Sequence, residues 1–151
     1  MQQLLICILL SGILASCSSP TKLMRSGNYD AAINKAVKKL SREKQKEKNI
    51  IALEQAYQKA NDRDKEKILF LKKEGKPENW DQIFNMYARM SQRQQNVKPL
   101  IPLRIQSQGR DAAFEFLNYD QEIIQAKQNA TEYFYTHALS LLDRNNQADA
   151  R

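Results

Sequence analysis

Thiols and imidazoles are almost missing from this chain. It has two cysteines, Cys7 and Cys17, and one histidine, His137. Beyond Cys17 no thiol remains, so the bulk of the chain forms no disulfide and offers no cysteine nucleophile. A single histidine without a cysteine partner excludes the usual zinc sets. Four glycines are too few and too scattered for a phosphate-cradling loop, and neither a serine nucleophile elbow nor a Cys-His pair is visible. The first 17 residues lack charged side chains altogether: all 24 Lys and Arg and all 17 Asp and Glu follow Cys17. Nor is there an apolar run of spanning length. Residues 4–15 (LLICILLSGILA) are apolar apart from Ser11 and Gly12, whereas a transmembrane helix needs about 20 residues.

That short run suits the h-region of a secretory signal, and Ala15 and Ser16 are the small residues wanted before a cleavage site. Met-Gln-Gln brings no Lys or Arg, so only the amino terminus supplies n-region charge. Leu14-Ala15-Ser16-Cys17 resembles a bacterial lipobox. The resemblance implies that the Cys17 thiol receives a diacylglyceryl group, that residues 1–16 are removed, and that the new amino group is acylated. Three acyl chains would make a stable membrane anchor where one would bind only marginally. Residues 17–21 would then be a tether. Ser rather than Asp after the cysteine implies, within that family, transfer to the outer membrane, facing the periplasm or exposed at the surface. Two other readings stand beside it: an ordinary cleaved signal with an incidental cysteine, and a buried N-terminal helix.

The mature part carries the whole net charge of +7, much of it in residues 38–48 (KKLSREKQKEK). A basic surface serves nucleic acid, anionic headgroups or acidic polymers, or is simply a solvated helix face and turn. Nucleic acid is not expected, given the export signal and the lack of interleaved aromatics.

Helical periodicity dominates. Tyr29, Ala32, Ile33, Ala36, Val37 and Leu40 make one apolar stripe; Ile50, Leu53, Tyr57 and Ala60 make another. Residues 65–74 read as a short helix packed through Ile68, Leu69 and Leu71 and stopped by Gly75 and Pro77. Trp80, Ile83, Phe84, Tyr87 and Met90 follow, then the longest stripe: Ile123, Ala126, Ala130, Tyr133, Phe134, His137, Ala138, Leu141 and Leu142. Pro99 and Pro102 break the pattern. Leu103 and Ile105 flank Arg104, and Phe114 and Phe116 flank Glu115, an alternation that predicts a small β-hairpin, or else a proline-rich loop, within 97–118. The expected fold is mainly α, with helical parts at 22–96 and 119–151.

Residues 26–33 (SGNYDAAI) resemble the inter-helix turn and second-helix start of a tetratricopeptide repeat: Gly27 at the turn, Tyr29 over it, Ala32 at the close approach. Phe134, Ala138, Leu141 and Ala150 follow the family's aromatic, small, large and small positions, with Asn145 in the glycine's place. Leu53 and Tyr57 are a weaker echo. Gly27 and Asn145 lie 118 residues apart, against about 102 for three periods of about 34, so the repeats would be irregular. The resemblance implies antiparallel helical hairpins of the α-solenoid type, residues 143–151 being a turn and the start of an incomplete repeat. The apolar face before it would then lack its partner helix, as in a truncated member of a longer lipoprotein family or a chain covered by another protein.

Candidate chemistry is thin. His137 sits on an apolar stripe, where a packed core role is the ordinary one. Glu115, Asp120 and Glu122 are an acidic cluster that could in principle cleave glycosidic bonds, or cap and complement a helix N-terminus. Trp80 and the tyrosines fit a core better than a ligand platform. The expectation is a non-catalytic envelope lipoprotein without cofactor or metal, scaffolding a protein or peptide partner. The alternatives are a glycan-binding or glycan-cleaving accessory and a fragment of a longer repeat lipoprotein.

Overall fold

The computed structural model describes residues 19–149, with side chains followed through Arg144. Leu14, Ala15, Ser16, Cys17 and Ala150 lie outside the described residues. The protein is mostly helical, with one two-stranded antiparallel sheet. Its helices are α1 (Pro20–Arg25), α2 (Tyr29–Leu40), α3 (Glu47–Glu74), α4 (Trp80–Val97) and α5 (Asp120–Asp149). Strands β1 (Arg104–Ile105) and β2 (Arg110–Asp111) lie between α4 and α5.

The chain forms two compact units. The first takes the described residues up to Tyr57 together with Pro102–Ala113. Here α1 starts on a local signal: the Ser19 hydroxyl accepts the Lys22 N–H at 3.1 Å, and Pro20 occupies the first turn. It ends in a left-handed glycine cap. Gly27 has φ +77°, the Asn28 N–H reaches the Leu23 carbonyl at 3.0 Å, and the Gly27 N–H reaches Met24 at 3.1 Å. The chain reverses and α2 packs against α1. Ala32, Ile33, Ala36 and Leu40 are buried at the expected spacing, while Tyr29 is half-buried over the turn. Ile50, Leu53 and Tyr57 of α3, with Leu103 and Ile105, add to this unit's buried apolar set.

The hairpin exists in a shifted register. Arg104 pairs with Asp111 and Ile105 with Arg110, so the return strand uses residues expected to form the turn. The reversal is a 3-10 segment, Gln106–Gln108, closed by Gly109 at φ +63°. Phe114 and Phe116 are both half-buried with Glu115 exposed between them, but they belong to no strand. Two carboxylates of α3 hold the hairpin instead of a longer ladder. Glu54 receives both ends of the Arg110 guanidinium at 2.6 and 2.9 Å and the Ala113 N–H at 2.6 Å. Glu47 accepts the Ser107 hydroxyl and N–H. These bonds hold both carboxyls below the ordinary glutamate value, Arg110 acting chiefly on Glu54 and the Ser107 hydroxyl on Glu47.

The second unit runs from Gln58 to Ile101 and resumes at Phe114. Its core joins Ile68 and Leu71 of α3, Ile83, Met86 and Met90 of α4, and Tyr119 and Ala126, with Trp80, Phe84, Tyr87 and Ile123 packed around it. Residues 65–74 are thus the end of a 28-residue helix rather than a short helix of their own. Leu69, expected to pack, is 69% exposed. Gly75 (φ +65°) and Pro77 do end the helix. Asn79 ties that corner by donating to the Leu71 carbonyl at 3.2 Å and to Glu74 at 3.1 Å.

Inside this unit, Asp64 and Arg93 form a buried ion pair at 2.6 Å, their side chains 3% and 5% exposed. Arg93 also donates to Asn61 at 3.0 Å, and the guanidinium of Arg63 approaches Asp64 at 3.2 Å. Such a pair survives burial only when its remaining hydrogen-bonding capacity is met, as it is here.

Candidate interaction surface

The second unit leaves part of its longest helix uncovered. The Asn118 side chain accepts the Asp120 N–H at 2.8 Å where α5 begins, and Asp120 and Glu122 occupy its first turn. The Leu117 N–H donates to Gln94 at 2.8 Å near the end of α4. About four turns later, Tyr133 and Thr136 line a groove with Pro77 and Trp80, at the start of α4. The two helices therefore run antiparallel. At about 1.5 Å per residue α4 covers roughly 27 Å and α5 roughly 45 Å, so α5 overshoots its neighbour. Ala126 and Ala130 are buried; among the described residues after Ala130, none is.

The uncovered stretch is apolar. Phe134 is 53% exposed, Tyr135 66% and Leu142 57%, with Leu139 and Leu141 exposed beside them. On a helical wheel at 100° per residue, Phe134, Tyr135, Leu141 and Leu142 all lie within about 60° of Ala138, a single face of the width that normally seats against another element. Tyr133 stacks on His137, ring centroids 5.6 Å apart at 13°. His137 is exposed, not packed in a core as the stripe had suggested. A shallow, largely apolar depression lined by Lys127, Gln128, Thr131, Glu132 and Tyr135 lies on the same helix.

The repeat-like residues divide here. Gly27, Tyr29 and Ala32 lie at the turn between α1 and α2 and in the first turn of α2, whereas Phe134, Ala138 and Leu141 are exposed. The expected turn at Asn145 is absent: α5 continues through it to Asp149. A left-handed turn favours Gly, and Asn145, though a weak helix former, does not force the chain out of the helix.

The acidic cluster is committed to structure. Lys65 donates to Glu115 at 2.6 Å, which raises the lysine's pKa, and Asp120 and Glu122 complement the α5 terminus. Trp80 is half-buried against the core, and Tyr87 meets Tyr119 at 5.8 Å. Among the described residues no group of three His, Cys, Asp or Glu could hold a metal ion, and no helix is long and apolar enough to cross a membrane. No protein-family model, curated protein or solved structure matches the chain.

Proposed function

We propose that the protein is a bacterial envelope lipoprotein, held by acyl chains on Cys17, whose helices scaffold a protein or peptide partner without catalysis. The observation that carries this reading is the sequence Leu14-Ala15-Ser16-Cys17 behind a charge-free apolar run too short to span a bilayer. The uncovered apolar face of α5 supports it, because a face of that width in water is an association surface more often than an ornament. The Gly27 turn supports a TPR-like hairpin in the first unit, the part of the repeat reading that this proposal keeps. The outer membrane is the proposed location.

The test is palmitate labelling with membrane fractionation of the wild type and Cys17→Ala. The proposal requires label on the wild type only, and release of the variant from membranes. Unchanged membrane association of the variant would end the anchoring claim. A photo-crosslinking residue at Tyr135 or Leu139 then tests the scaffold claim: an envelope protein should be captured from these positions and not from Lys59.

A further inference from the structure

We propose that the first unit rests directly on anionic lipid headgroups through the basic turn between α2 and α3. This rests on the reading of Cys17 as the membrane anchor and adds a second contact to it.

The charge is unevenly divided. Residues up to 57 together with Pro102–Ala113 contain eleven Lys and Arg against five Asp and Glu, so this unit carries +6 of the chain's +7. Four of those acids are tied within the unit: Glu54 to Arg110, Glu47 to Ser107, Glu43 to Lys46 at 2.9 Å, and Asp111 to Arg104 at 3.5 Å. Lys38, Lys39, Arg42, Lys44 and Lys48 are exposed and close together in sequence.

The topology brings that cluster to the tether. Three residue steps from Cys17 to Pro20 span at most about 11 Å even when fully extended. The proline is itself fully buried, so the unit cannot swing away on a loose α1. Helix α1 has six residues and rises about 9 Å; α2 has twelve and rises about 18 Å. The turn at Gly27 folds α2 back along α1, as in a helical hairpin. Its C-terminal end therefore returns to the level of Pro20 and passes it by about 9 Å on the tether side. Lys38, Lys39 and the turn after Leu40 arrive within about one Debye length of the surface in which Cys17 is held. Each basic residue so placed strengthens binding to an anionic leaflet roughly fivefold. The lipid anchor fixes the distance, and the basic turn fixes the orientation.

Nucleic acid would meet the same charges, but no aromatic side chain is interleaved with them to stack on bases. Headgroup phosphates require none.

The experiment is co-sedimentation of the full chain with vesicles of equal parts phosphatidylglycerol and phosphatidylcholine, and with pure phosphatidylcholine. The ratio of the two affinities removes the contribution of the apolar leader, which both vesicles share. The wild type should favour the anionic vesicles by at least about tenfold at low salt, and the ratio should approach one near 0.5 M salt. Changing Lys38, Lys39, Lys44 and Lys48 together to Glu should abolish the preference, and to Gln should reduce it, with circular dichroism unchanged. The same change at Lys59, Lys67, Lys73 and Lys127 should leave most of it. Equal affinity of the wild type for both vesicles, a preference untouched by the first set, or tighter binding to duplex DNA than to anionic vesicles would overturn the proposal. A chain that takes no palmitate yet shows the ratio would remove the anchor and leave the basic contact standing.

Discussion

At the residue scale, the most consequential side chains are charged ones that occupy places where apolar residues would normally sit. Asp64 falls on the buried face of α3 between Ala60 and Ile68, and Arg93 meets it from α4. Removing one partner strands a charge away from water. Asp64→Ala should therefore cost about 3–5 kcal/mol, whereas the double change Asp64→Leu with Arg93→Met should cost far less or nothing. Urea denaturation of the three proteins checks this, and equal losses for single and double variants would contradict it. Glu54 gives a pH signature. Its folded pKa is depressed from the usual 4.5, mainly by the hydrogen bond from Arg110. The stability it contributes is complete above the unfolded value and is lost as pH falls through the lower folded value. Denaturant midpoints measured from neutral pH to below 4.5 should fall, and Glu54→Gln should make that decline shallower. Neither pairing is visible from sequence spacing: partners 29 and 56 residues apart meet only after the helices are placed.

At the scale of elements, the reading of α3 as two pieces has a physical origin. The buried positions run Ile50, Leu53, Tyr57, Ala60, Asp64, Ile68 and Leu71, an unbroken helical stripe. The one charged residue in it looked like a break because its neutralising arginine lies elsewhere in the chain. The apolar stripes of α2 and α4 were legible because their spacing needs no outside partner to be recognised. The hairpin was legible as a feature but not in register, since two-residue strands carry almost no periodicity and two glutamates supply the fixing bonds. Turn chemistry predicts better. Gly27 holds φ +77° with nothing within 4 Å of where a Cβ would sit, so Gly27→Ala meets backbone strain alone and should cost about 1 kcal/mol. Thermal melts resolve that difference, and Gly27→Asn should lose less. On α5, Leu139→Glu with Leu142→Glu should change folding stability by less than about 0.5 kcal/mol while lowering any crosslinking from that face. Ile83→Ala in the core should cost about 2–5 kcal/mol.

At the scale of the whole molecule, the two units differ in the surface each one offers. The basic charge is concentrated in the first unit, and the uncovered apolar face belongs to the second. The apolar overhang of α5 was not legible in the sequence, because recognising it requires knowing how far α4 reaches. The first unit is also assembled from two stretches of chain with residues 58–101 between them. A polypeptide made from its N-terminus must therefore present the apolar stripes of α2 and early α3 for the time needed to add those 44 residues and then Leu103 and Ile105. At roughly 5–20 residues per second that interval lasts seconds, long enough for the uncovered stripes to invite aggregation in a nascent chain. A fragment ending at residue 101 should be digested rapidly across residues 19–57 under limited proteolysis, while the full chain resists there. The part that arrives first is the part that finishes only when the hairpin comes back to it.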